Sequence, residues 1–240
     1  MHLVMAREGR STVGARLLGL ARELRAHAPF TVFGAVTGIA LMLLFRDLGR
    51  ERAQMMFAVF HPLHVALSAM VTAALFRLRS QARGLLVVLV VGYVGSVGVA
   101  TLSDCVIPFL GESVLGVALP IEAGGGAPAS RLHLGFIEEW PLVTAAAVVG
   151  GLIALVLPQT RAPHALHVLV STWASSSHVL MNMQTEWTPL VAVGLLVVLF
   201  VAVWLPCCIS DIVFPILLVA PRGCPAHGTD GGMDARRLAS

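Results

Sequence analysis

Hydrophobic residues run through this chain in long blocks separated by short polar stretches, and the block lengths set the first expectation. Six runs, near 29–45, 57–77, 84–110, 140–158, 165–184 and 189–220, are long enough to cross a bilayer, which takes about 20 apolar residues per helix. The third and sixth exceed one crossing and carry Pro108, Pro206 and Pro215, so tilts, kinks or breaks are expected there. The expected fold class is an all-α polytopic membrane protein with six transmembrane helices.

Polar residues inside these blocks recur in order. His61-Pro62-Leu63-His64-Val65-Ala66-Leu67-Ser68 is matched by His164-Ala165-Leu166-His167-Val168-Leu169-Val170-Ser171, with both histidines, the valine and the serine in register. Ser103-Asp104-Cys105-Val106-Ile107-Pro108 is matched by Ser210-Asp211-Ile212-Val213-Phe214-Pro215. A weaker match lays His27-Ala28-Pro29-Phe30 on Glu139-Trp140-Pro141-Leu142, bringing Gly34 over Ala146 and Gly38 over Gly150. The division that follows is an amphipathic cytoplasmic segment (1–28), a first three-helix repeat (29–110), an extracytoplasmic loop (111–139), a second three-helix repeat (140–220) and a disordered cytoplasmic tail (221–240). Three is odd, so the second unit must begin on the opposite side of the membrane. That parity predicts inverted-topology repeats, an arrangement common in secondary transporters.

Composition agrees with the pattern: 57% of residues are hydrophobic and 12% charged, far from a soluble domain. The net charge of +3 comes from arginine, since the chain has no lysine. With the N-terminus inside, the inner segments hold Arg7, Arg10, Arg16, Arg22, Arg25, Arg77, Arg79, Arg83, Arg161, Arg222, Arg236 and Arg237. The outer segments hold Arg46, Arg50, Arg52 and Arg131. This satisfies the positive-inside rule with both termini cytoplasmic, as expected for an integral protein of a bacterial or archaeal plasma membrane. Topology accounts for the arginines, so no nucleic-acid partner is expected. Ser11 to His27 reads as a surface helix, with Val13, Leu17, Leu18, Leu20 and Leu24 opposed to arginines; an Arg-rich transit peptide would read the same way. Gly34-x-x-x-Gly38, Gly92, Gly95, Gly98 and Gly150-Gly151 offer small faces for close packing or for a homodimer.

The candidate chemistry lies in the repeated polar residues. His61, His64 and Ser68 share one helical face. Counted from a helix start near 57, His61 lies roughly 7 Å inside the outer surface, and Asp104 roughly 30 Å along a helix running outward. Both fall in the outer half of the bilayer, and inversion puts His164, His167, Ser171 and Asp211 in the inner half. Two related clusters stacked across the membrane are therefore expected, with His61, His64, Asp104, His164, His167 and Asp211 as metal ligands. Imidazole and carboxylate suit Zn, Mn, Fe, Co or Ni, as substrate or as a bound ion. Ser68, Ser171, Ser103 and Ser210 are candidate hydrogen-bonding partners. His178, Glu138, Glu139, Cys207 and Cys208 are candidates along the pathway.

Each has a plainer reading. Intramembrane histidines often only bond neighbouring helices, and the acidic pair beside His133 reads equally as a solvated loop edge or as a cation attractor. Cys105, Cys207, Cys208 and Cys224 make neither a disulfide framework nor a C-x-x-C pair; Cys207-Cys208 reads as packing or as soft-metal thiolates. His178 has no repeat counterpart, because Leu75 stands at the equivalent position. Ser175-Ser176-Ser177-His178 is a polar run in mid-helix, expected to face protein or water rather than lipid.

Two function classes follow. The leading one is a small secondary transporter for a divalent transition-metal cation, with proton coupling from protonatable ligands. The alternative is an intramembrane zinc hydrolase acting on a lipid or amide. In its ingredients (His, Ser and Asp within membrane helices) the chain is similar to the seven-helix zinc hydrolases of the alkaline ceramidase group, but it departs from their motif order and helix count. An enzyme seldom needs two equivalent sites at opposite faces, which favours transport.

Overall fold

The computed structural model describes residues 24–25, 27–79, 84–117, 132–157, 161–183 and 185–208. Most of the amphipathic segment, the loop from 118 to 131, and Ser210, Asp211 and Cys224 with the tail lie outside them.

Every regular element among the described residues is helical. Helix α1 spans His27–Phe45; α2 is Arg50–Arg79 and α3 Leu85–Ala100, continued by a π-helical turn, Thr101–Val106, into α4, Ile107–Leu115. A short α5, Gly135–Glu138, precedes α6, Trp140–Val156; α7 is Arg161–Asn182 and α8 Pro189–Cys208. Four stretches have the length and hydropathy to cross a membrane: His27–Phe45, Arg50–Leu78, Leu85–Leu115 and Pro189–Cys207. Two further helices lie among them. Helix α6 is apolar but has only 17 residues, and α7, with 22 residues, is less apolar because it carries the serine run.

Polarity is distributed inside out relative to a water-soluble bundle. Leu44, Val114, Val156 and Leu190 are 75%, 86%, 79% and 82% exposed, while His61, His64, Asp104, Glu112 and His178 are buried. An apolar exterior around a polar interior is what lipid selects, since hydrocarbon solvates apolar side chains and leaves polar groups to find partners within the protein.

Helices α2 and α7 form the central pair and run antiparallel. Phe57 meets His178, Phe60 meets Trp173 and His64 meets His167, at ring-centroid separations of 5.9, 5.5 and 5.7 Å. Helix α1 lies parallel to α7, with Gly34 against Thr172 and Gly38 against Ser176; Trp173 Nε1 donates to Thr37 Oγ1 at 3.3 Å. Helix α6 lies parallel to α2 in the same manner. Gly150 presses on the backbone of Ala66, so closely that any side chain there would collide with it. Val65, Ala69, Val143 and Ala147 pack together with Ala100 of α3. Helix α8 closes the other flank, its Leu195 and Leu199 packing with Ala35 and Met42.

The break expected near Pro108 takes a defined form. Proline has no N–H, and its ring clashes with the carbonyl four residues back, here that of Asp104. The backbone avoids the clash by widening into a π turn, in which the N–H of Ile107 bonds Leu102 O, five residues back. In that register the donor for Ser103 O would be Pro108, which has none to give. Ser175 Oγ on α7 lies 2.9 Å from Ser103 O and 2.8 Å from Ser171 O of its own helix, so one hydroxyl serves the orphaned carbonyl across the helix interface while shared with a second acceptor. The turn and the serine run of α7 are thus one device, and it positions Asp104.

Helix limits change the depths read from sequence. Helix α2 begins at Arg50, not near 57, so His61 stands roughly 16 Å along it. The third run continues to Leu115 and draws Glu112 out of the expected loop into the bundle.

Candidate functional site

Asp104 is the centre of a converging polar network. Its Oδ2 lies 3.0 Å from His61 Nδ1 and 2.8 Å from His64 Nδ1. Its Oδ1 accepts from Ser103 Oγ at 2.7 Å and from Ser171 Oγ at 2.9 Å. The carboxylate therefore meets four donors, contributed by α2, α7 and its own turn. Bonds to an ionised acceptor contribute about 1.5–3 kcal/mol each, which offsets part of the cost of burying the group. For both imidazoles to donate from Nδ1, each must carry its hydrogen there, leaving Nε2 with a lone pair. His61 Nε2 and His64 Nε2 are buried and bonded to no donor.

The described histidines of the two expected clusters adjoin one another. His64 stacks on His167 with ring planes 2° apart. His167 meets His164 edge-on at 4.9 Å, and His164 meets His27 at 4.6 Å. From Asp104 toward the His27 end of the bundle the chain is thus continuous imidazole. Cys207 of α8 joins it: one ligand atom each from His64, His167 and Cys207 lies within 4.8 Å of the others, and all three residues are buried. This buried group can hold a metal ion. Bonds of roughly 2.0–2.3 Å call for a closer approach, so the three helices would draw together around an ion.

Other candidates fall as follows. His61, His64, Asp104, Ser103 and Ser171 converge in one network, and Ser68 is buried on α2 two turns along from His61. His164 and His167 adjoin it as described, whereas Ser210, Asp211 and the Cys208 side chain lie outside the described residues. Glu138 and Glu139 flank His133, whose Nδ1 is 2.8 Å from Glu138 Oε2 and whose Nε2 is 3.8 Å from Glu139 Oε1. Burial lowers the His133 pKa below its ordinary value, against the opposing pull of the two carboxylates.

His178 acquires a partner that sequence reasoning missed. Its Nδ1 lies 3.1 Å from Glu112 Oε1, and Asn182 Nδ2 donates to Glu112 Oε2 at 2.9 Å. The sequence division places Glu112 in the outer loop; the readable signal is an acid set in the apolar run Phe109-Leu110-Gly111 and Val114-Leu115. Phe57 stands between the two polar centres, stacked on His61 at 4.9 Å and edge-on to His133 at 5.1 Å and to His178. The Gly135 backbone lies against the Cδ2–Nε2 edge of the His61 ring.

The residues present can hold a metal ion inside an apolar bundle. Compared with protein-family models, curated proteins and solved structures, the chain matches none of them.

Proposed function

We propose that this chain is a membrane carrier for a divalent transition-metal cation, bound within the bilayer by His64, His167 and Cys207. The observation that carries the reading is the buried convergence of those three side chains, one from each of α2, α7 and α8. Asp104 takes a different role from the one its repetition suggests. It holds His61 and His64 by Nδ1, which leaves the Nε2 atom of His64 as the ligand, as carboxylates commonly do behind metal-bound histidines. Charge supports the assignment: a thiolate at Cys207 and a carboxylate at Asp104 together neutralise a divalent ion, which a low-dielectric interior demands. Two imidazoles and a thiolate favour zinc or cobalt over the harder manganese.

Inverted repeats would explain the packing. His64 faces its own repeat counterpart His167, as residues on a twofold axis do. The first helix of each repeat lies parallel to the second helix of the other, α1 on α7 and α6 on α2. Such a pair of units can rock about the shared histidines and open the ion to either side in turn. By the arginine distribution, the His27 end faces the cytoplasm.

The test is metal binding and flux by the purified chain in liposomes. Wild type is expected to bind Co²⁺ with a thiolate charge-transfer band and to carry Zn²⁺. His64→Ala and His167→Ala are expected to abolish both. Bound zinc with lipid hydrolysis and no flux would identify the enzyme instead.

A further inference from the structure

Glu112 and His178 are both fully buried, belong to neither repeated motif, and take no part in the metal centre. Their pairing through Nδ1 and Oε1 leaves His178 Nε2 buried and bonded to no hydrogen-bond partner. Asn182 fixes the second carboxylate oxygen and also lines a cavity of about 100 Å³ with Arg50, Gln54, His133, Glu138 and Met181. That cavity lies at the end of the bundle where α2 begins and α7 ends, opposite His27. A polar cavity thus reaches Asn182, which is one hydrogen bond from Glu112 and its buried imidazole partner.

From this geometry we infer that Glu112 and His178 form a proton-binding site, loaded through the Asn182 cavity and separated from the metal centre by Phe57. The step is simple to balance. A hydronium ion at the cavity gives up its proton: its O–H bond breaks as the N–H bond forms at Nε2, water is released, and the imidazolium charge is neutralised by the Glu112 carboxylate. Asn182 on α7 faces the pair, with His133 and Glu138 across the cavity and Glu139 beside His133. His61 lies beyond Phe57, and Arg50 stands at the cavity mouth. Helix α8 presents no titratable side chain between Pro189 and Trp204. The inference deepens the carrier reading, on which its coupling role rests: a proton held here would be exchanged for the cation.

The full chain in liposomes loaded with a pH-sensitive dye tests it, with Zn²⁺ as the driving ion and Co²⁺ spectra as the binding readout. Glu112→Gln is expected to cut metal-driven proton movement about tenfold or more while leaving Co²⁺ affinity within about twofold. Proton movement unchanged in Glu112→Gln overturns the inference and leaves the carrier intact. An independent readout is pH-difference infrared spectroscopy of the wild type with isotope-labelled histidine. It should report protonation of His178 or Glu112, with the signal lost in His178→Gln or Glu112→Gln. If that signal is present but no metal moves, the proton site stands and the carrier reading fails. If no such signal appears in the wild type, the proton site is wrong whatever the metal does, even should both variants fail to fold.

Discussion

A buried charge in a bilayer protein has to be held by many small groups, and Asp104 illustrates how. Two serine hydroxyls and two imidazoles converge on it, so a change at this residue acts on both histidines at once. Asp104→Asn keeps the shape but removes the charge and presents an amide to donors; Co²⁺ affinity should fall about 10–100-fold, read by spectroscopic titration. Cys207→Ser should abolish the thiolate charge-transfer band, and persistence of that band would remove Cys207 from the ligand set. Ser175→Ala should cost about 1–3 kcal/mol by stranding the Ser103 carbonyl, measured by denaturant unfolding in detergent. His133 gives a pH effect. Its pKa is lowered in the folded chain, so the stability it contributes is present above the unfolded value near about 6.5. That stability fades as pH falls through the window below, and hydrogen exchange around α5 should then quicken.

At the scale of elements, the π turn is where local sequence and tertiary packing meet. A proline in the third apolar run announces a break, but proline alone does not say whether the helix kinks, ends or widens. The widening here is stabilised by Ser175, on a helix distant in sequence. Pro108→Ala restores the missing N–H and permits an ordinary α register. Removing one residue from the turn would swing Asp104 by roughly 100° about the helix axis. Metal binding should be lost with little change in far-UV circular dichroism; retained binding would mean the turn does not depend on Pro108. The α6–α2 contact is equally specific, since Gly150 admits no side chain against Ala66. Gly150→Val should force α6 away and destabilise the fold by at least about 1–3 kcal/mol, seen as a lower melting temperature.

At the scale of the molecule, the proposed exchange of first helices between repeats makes a direct geometric prediction. Cysteines placed at Gly34 and Thr172, in contact across α1 and α7, should form an intrachain cross-link. A pair placed on α1 and the outer face of α2 should not. Metal removal should also be visible globally. With free ion at 100 times its dissociation constant, binding stabilises the folded state by about 2.7 kcal/mol. A chelator should lower the melting temperature of the wild type and leave His64→Ala unmoved.

What the sequence determined by itself is the set of properties that depend on composition along one helix. Apolar block length predicts helices suited to a bilayer, because hydrocarbon leaves the backbone no other partners. The recurrence of His61 and His64 at His164 and His167 marked the buried polar faces, because polar residues at such depth need a reason to be there. Tertiary structure alone decided which of these groups meet. Cys207 joins His64 and His167, Asp104 orients two imidazoles and is itself held by two serines, and Glu112 with His178 makes a centre of its own. Those outcomes depend on the crossing of helices far apart in the chain and on a change of register at one proline. Neither leaves a trace in the spacing of residues along a single segment.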